Sequence, residues 1–202
     1  MATITSKVVR NLRKRGVTVY NHKQWGSKQR ATYAKRRVWT RLGFYGKFRY
    51  RADTVVQHIT VTTPTDDFKR DVRVVEQIGV ARFRSGVSYN WLVDMKTGEV
   101  AVGQPLDAKG THTLNDKNVP NYSENQNLVA RAIAVIGQPS TKLSKKAENS
   151  IAQILAAMAE EKATTRDPDY QPHSFFAYKD CPCDPTRDRM PEIYDAFKSE
   201  IR

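Results

Sequence analysis

The chain has 202 residues, 39% of them apolar, which is enough for one sizeable domain and argues against disorder throughout. No apolar run approaches the roughly 18 residues of a membrane span, the N-terminus lacks the apolar core of a secretory signal, and two cysteines around a single proline cannot form a disulfide scaffold. The net charge of +13 is unevenly placed: residues 1–51 carry 15 Lys and Arg and no acid, leaving 19 basic against 21 acidic side chains elsewhere.

A basic helix is expected over residues 5–15, with Val8, Val9 and Leu12 on one side and Gly16 stopping it. Residues 17–20 alternate like a strand. Beyond Trp25 the cations are interleaved with Tyr33, Trp39, Phe44, Tyr45, Phe48 and Tyr50, and residues 43–46 read as an ordered loop or hairpin. Such aromatics can stack on bases or sugars, though more often they fasten a loop to a core. So cationic a block is an electrostatic footprint for a polyanion (nucleic acid, teichoic acid or an anionic surface), set against the simpler role of keeping the protein soluble.

Residues 54–62 are rich in β-branched side chains and alternate, Val55, Gln57, Ile59 and Val61 facing one way and Val56, His58 and Thr60 the other. Thr65 is a candidate N-cap for a helix with acids in its first turn, Val72, Val75 and Ile78 at helical spacing, and Gly79 near its end. Residues 88–95 and 99–102 read as strands joined by Lys96, Thr97 and Gly98. Residues 130–136 are almost continuously apolar, as in a buried central strand. The strongest helix covers residues 143–163, with Ser144 as cap and Ile151, Ile154, Leu155 and Met158 on one face. A last helix opens near Pro191 and buries Ile193, Phe197 and Ile201. Strands alternating with helices predict an α/β (mixed α+β) fold, a central mixed sheet flanked by helices.

Candidate chemistry gathers late in the chain. His173 and Cys181 lie eight residues apart in the run His173-Ser-Phe-Phe-Ala-Tyr-Lys179-Asp-Cys181-Pro182, and His58 closes the strand-like run Thr54-Val-Val-Gln-His58. Two imidazoles and one thiolate are three protein ligands for zinc, and a fourth position left open is the catalytic arrangement, not the structural one. On residue type alone Cys183 and Asp184 compete with Cys181, and a lone strand histidine is more often a core residue than a ligand.

A strand ending in His58 and a late His-x7-Cys-Pro resemble the zinc amidases of the peptidoglycan recognition protein superfamily, the N-acetylmuramoyl-L-alanine amidases, closest to their bacteriophage lysozyme branch. The resemblance runs from about residue 53 to about residue 185, the span set by those ligand motifs. It takes in Gly86-Val-Ser-Tyr89-Asn-Trp-Leu-Val-Asp94, Val102-Gly-Gln-Pro-Leu106 and Gly110-Thr-His112-Thr113. It implies Zn2+ on His58, His173 and Cys181, Tyr89 and Lys179 as catalytic groups, and His112 and Thr113 in contact with substrate. The implied reaction is cleavage of the amide between N-acetylmuramic acid and L-alanine by zinc-activated water. Two positions depart from the family pattern: Asn90 stands where a histidine often follows the tyrosine, and Cys183 where a glycine often follows the proline.

A looser pattern, Leu12-x3-Gly16-Val17-x-Val19-x5-Trp25-x4-Arg30, looks like the lead-in of some actinobacterial phage amidases. It implies a basic segment, residues 1–50, packed on a catalytic domain of residues 51–202. Without a signal peptide, the expectation is a phage endolysin held in the host cytoplasm until it is released to the wall. Peptidoglycan is the expected partner, with anionic wall polymers possible for the basic segment, no sequence-specific nucleic acid and no membrane span. Two other readings stand beside it: a non-catalytic peptidoglycan-binding module, and a nucleic-acid-binding protein led by its basic N-terminus.

Overall fold

A computed structural model describes residues 3–29, 51–83, 86–108, 110–113, 126–140 and 142–201. The interleaved aromatics from Tyr33 to Tyr50, the 43–46 turn and the polar loop around Asn115, Asp116 and Asn118 lie outside them. Helix α1 (Ile4–Lys14) starts where the Thr3 hydroxyl accepts from the Ser6 N–H at 3.2 Å, and it buries Val8, Val9 and Leu12. In chain order follow β1 (Val19–Tyr20), β2 (Ala52–Ile59), α2 (Phe68–Phe83), β3 (Trp91–Asp94), β4 (Val100–Val102), α3 (Gln126–Val129), β5 (Ala130–Ile136), α4 (Lys145–Glu160), β6 (Thr164–Pro172), α5 (Asp184–Arg187) and α6 (Met190–Glu200). Among the described residues no helix is long and apolar enough to cross a membrane.

The strands form one mixed sheet in the order β1-β4-β3-β5-β2-β6. The β3–β4 hairpin is antiparallel, and the other neighbouring pairs are parallel. All seven residues of β5 are buried, because it lies between β3 and β2 and is covered on both faces. On one face Val55, Ile59, Trp91, Val93, Ile133 and Val135 pack with α1, α4 and α6 through Leu12, Ile151, Leu155 and Phe197. Each large side chain buried there contributes about 1.5–3 kcal/mol. On the other face Leu92, Ala101, Ala134 and Ile136 meet Trp25 and the Phe68, Val72 and Val75 stripe of α2.

The expected α/β sheet flanked by helices is what the chain forms, with corrections at several boundaries. The strand expected over 54–62 stops at Ile59; Val61 has φ of 55° and is 56% exposed, so the alternation ends where the site begins. The cap of α2 is Asp67, whose Oδ1 accepts from the Arg70 N–H at 3.1 Å, whereas Thr65 instead donates its hydroxyl to Asp71 at 2.8 Å. Gly79 does not end α2, which continues to Phe83. A Cβ there would fall 1.7 Å from the carbonyl oxygen of Gly86, so glycine at this position lets the 86–87 turn press against the helix. Tyr89 precedes β3, which begins only at Trp91. Strand β6 has no counterpart among the expected elements: it is polar, holds Pro168 and Pro172, and lies at the sheet edge, where a missing N–H is tolerated.

Candidate active site

Parallel pairing brings the first two candidate ligands together. In the β2–β6 register Gln57 lies opposite Pro172, so the next residues of the two chains are His58 and His173. His58 also pairs in register with Ala134, which lies on the α2 face of the sheet. The His58 and His173 ring centroids are 4.5 Å apart. His173 opens a single 3-10 turn (His173–Phe175), and the chain then folds back, the Ser174 N–H donating to the Cys181 carbonyl at 2.7 Å. Arg187 braces the returning limb by donating to the Pro182 carbonyl at 2.8 Å and pairing with Asp180. Cys181 Sγ thereby reaches 3.8 Å from His58 Nδ1, and ligand atoms of His58, His173 and Cys181 all lie within 4.8 Å of one another. In a tetrahedral zinc site with ordinary bond lengths, nitrogen and sulfur are about 3.5 Å apart. The donor set therefore fits zinc in type and in spacing, and His173 Nε2, buried without a hydrogen-bond partner, fits it too.

The electrostatics suit a cation. Burial lowers the His58 pKa well below its ordinary value, with His173, His112 and Lys179 adding to the effect. His173 falls to about 4, by burial first and then Lys179. All of these imidazoles are neutral at pH 7, the form that donates a lone pair. Burial pushes the Cys181 thiol up to about 11, only partly opposed by a backbone hydrogen bond with Ile59. A divalent ion reverses that preference, because a coordinating thiol is deprotonated outright.

His173 lines a cleft of about 710 Å³, its open mouth included, with His58 and Cys181 close against it. One wall is the C-terminal half of α2, with Ile78, Arg82 and Phe83; opposite stand Tyr89, His112 and Lys179. The Tyr89 ring centroid is 5.0 Å from that of His58. Burial raises its phenol well above the ordinary value, Cys181 adds to this and Arg82 opposes it, so at neutral pH the group is a donor. Lys179 is solvent-exposed at the cleft's edge. His112 also lines the cleft, its Nδ1 3.2 Å from His58 Nε2 and 2.8 Å from the Thr113 hydroxyl. Cys183 points elsewhere, into the core on the opposite face of the sheet.

No protein-family model matches the chain, and no curated protein sequence does. Solved structures do match. The endolysin N-acetylmuramoyl-L-alanine amidase LysCS from Clostridium intestinale has a TM-score of 0.55 at 19% identity, over 72% of this chain and 86% of that one. Drosophila PGRP-LB has a TM-score of 0.60 at 15% identity, over 82% and 88%. The ectodomain complex of peptidoglycan recognition proteins LCa and LCx, solved with tracheal cytotoxin bound, reaches 0.64 at 16% identity, over 86% and 96%. The chain has the fold of the peptidoglycan recognition protein and amidase superfamily.

Within this fold, Gln57 and Arg82 carry no site expectation from the sequence, and the structure gives Asn90 a reason. Gln57 donates from Nε2 to the His58 carbonyl at 2.9 Å and accepts from the Tyr170 hydroxyl at 2.6 Å, tying β6 to the residue that carries the ligand. Arg82 becomes a cleft residue because α2 runs past Gly79. Asn90, the departure from the family pattern, is structural: its Oδ1 accepts from the Ala132 N–H at 2.8 Å and its Nδ2 donates to the Gln104 carbonyl at 3.1 Å. A buried polar residue with a short bridging side chain between two backbone segments is the signal that marks it.

Proposed function

We propose that this chain is a zinc-dependent N-acetylmuramoyl-L-alanine amidase that cleaves the bond between N-acetylmuramic acid and L-alanine in peptidoglycan, as a phage endolysin does. The observation that carries this reading is the meeting of His58, His173 and Cys181 beside an open cleft that His173, Tyr89 and Lys179 line. Zinc held there would supply a Lewis acid and a water nucleophile acidic enough to act at neutral pH. The three protein ligands keep the fourth position free for that chemistry. Tyr89, a phenol held protonated by burial, donates a hydrogen bond to the oxygen of the scissile amide as negative charge develops on it. Lys179, at the cleft edge, adds a positive charge on the same side. His112, which lines the cleft, would border the substrate, with the buried Thr113 hydroxyl against its ring.

Retention of the thiolate ligand together with Tyr89 and Lys179 favours hydrolysis over binding alone. The deciding experiment pairs zinc analysis of the purified protein with release of L-alanine amino termini from peptidoglycan, with and without a chelator. Stoichiometric zinc and chelator-sensitive release support the reading; metal-free protein that releases as many termini would sink it.

The basic segment has its own part in this proposal. Fifteen cations without an acid in residues 1–51 would draw the enzyme to anionic wall polymers, an attraction screened within about 8 Å at physiological salt. Lysis of teichoic-acid-rich walls should fall steeply with added salt, while cleavage of a small soluble muropeptide should change little. Replacing Lys35, Arg36, Arg37 and Arg41 by Gln should flatten the first dependence and leave the second. Equal wall lysis by parent and variant at every salt concentration would reduce the block to a solubility feature.

A further inference from the structure

We infer that His112 is a positioning residue for the metal site: it accepts the Nε2–H of His58 and so holds that ring with Nδ1 turned toward Cys181 and His173. The inference rests on the zinc reading above. His58 Nδ1 is the edge that faces the Cys181 sulfur, at 3.8 Å. A neutral imidazole has one N–H, so a lone pair on Nδ1 requires the proton on Nε2. His58 is only 1% exposed, and a buried N–H without an acceptor costs about 1–3 kcal/mol. The atom 3.2 Å from that nitrogen is His112 Nδ1, and the two rings meet at 81° with centroids 5.2 Å apart. A metal-bound histidine usually gives its second N–H to a carboxylate, a backbone carbonyl or water. Here another imidazole takes that place, itself only 6% exposed, and its own proton then sits on Nε2, which has no partner among the described residues.

A positioning residue has to be held more firmly than the group it positions. The Thr113 hydroxyl lies 2.8 Å from the same His112 Nδ1 and shares that acceptor with His58, since an Nδ1 that takes the His58 proton has none of its own to donate. Asn127 accepts from the Thr113 N–H at 2.9 Å and donates to the Thr113 carbonyl at 2.5 Å, and its own carbonyl accepts from the Gly110 N–H at 2.9 Å. Thr111 donates its hydroxyl to Ser88 at 3.0 Å, which ties the same segment to the approach to Tyr89. Gly110 lies flat against the ring: a Cβ there would fall 2.6 Å from His112 Cδ2 and 3.3 Å from Nε2. The segment of residues 110–113 therefore clamps His112 from both sides, and Gly110 supplies the room for its ring.

The test is zinc affinity, measured by competition with a chromophoric chelator and independent of any substrate. His112→Ala should bind zinc about 10- to 100-fold more weakly than the parent, the usual cost of losing such a partner. His112→Asn should recover most of that loss, because its Oδ1 can accept where Nδ1 did. Gly110→Ala, which pushes the ring aside, should weaken zinc binding in the same direction while circular dichroism shows the fold retained. Parent and His112→Ala affinities within about twofold, or His112→Asn as weak as His112→Ala, would overturn the inference alone. A parent protein that takes up no zinc would overturn the zinc reading and the inference with it.

Discussion

On one face of the sheet α1, α4 and α6 bury Leu12, Ile151, Leu155 and Phe197 among strand side chains that are mostly apolar, Gln57 and Arg131 being the polar members. On the other face, beside the α2 stripe, the same strands lead into His58, His112 and His173, all buried, with His112 Nε2 and His173 Nε2 lacking hydrogen-bond partners. The first face contributes stability through area removed from water. The second gives some of it up, since each unsatisfied buried polar atom costs about 1–3 kcal/mol. A protein can carry such a cluster when a ligand completes it and the opposite face compensates. Metal binding is then coupled to the fold, and the two faces should answer differently to substitution.

The largest effect should come from the ligands themselves. His58→Ala, His173→Ala or Cys181→Ser is expected to abolish zinc binding and hydrolysis together, read by metal analysis and by release of amino termini from peptidoglycan. Cys183→Ser, on the apolar face, should keep its zinc. Metal lost from Cys183→Ser and kept by Cys181→Ser would reverse the assignment of the thiolate ligand.

Phe197→Ala probes the other face. It should cost about 3–5 kcal/mol in denaturant unfolding, while zinc stoichiometry below the unfolding midpoint stays at the parent value. Loss of zinc at temperatures where the variant is fully folded would show that the two faces are not separable.

Tyr89→Phe and Lys179→Ala should lower the turnover number about 100- to 1,000-fold with zinc content unchanged. Full turnover in either variant removes that residue from the mechanism.

The smallest effect concerns Glu148, which joins α4 to the start of α6. Burial alone would raise its pKa, but hydrogen bonds from Arg189 at 2.6 Å and Lys145 at 2.7 Å outweigh it and hold the carboxyl below its ordinary value of 4.5. A depressed pKa means that the contribution is fully present above the ordinary value and lost as pH falls through the lower folded one. Glu148→Gln should therefore cost about 1 kcal/mol or less near pH 7, with the gap in melting temperature narrowing in acid. A gap that widens in acid would contradict this sign.

Strand β5 and helix α4 were legible from the chain alone, because an apolar run broken only by Arg131 and a 16-residue amphipathic stripe admit few alternatives. The candidate donors were legible as well: His58, His173 and Cys181 have side chains that can ligate a metal whatever their neighbours. Strand β6 was not, since its polar, proline-bearing sequence becomes a strand only through pairing along one edge with β2. The reason Gly79 is a glycine, the Gly86 carbonyl against the helix, was not legible either, because it is a contact made in three dimensions. The partnership of His58 with His112, and of Gln57 with Tyr170, was likewise invisible, because each joins residues more than 50 positions apart. Local pattern thus determined which segments are strands, helices and donors. The parallel register of β2 and β6 decided that two histidines 115 residues apart in the chain stand side by side, because a shift of one residue would turn either ligand to the opposite face of the sheet.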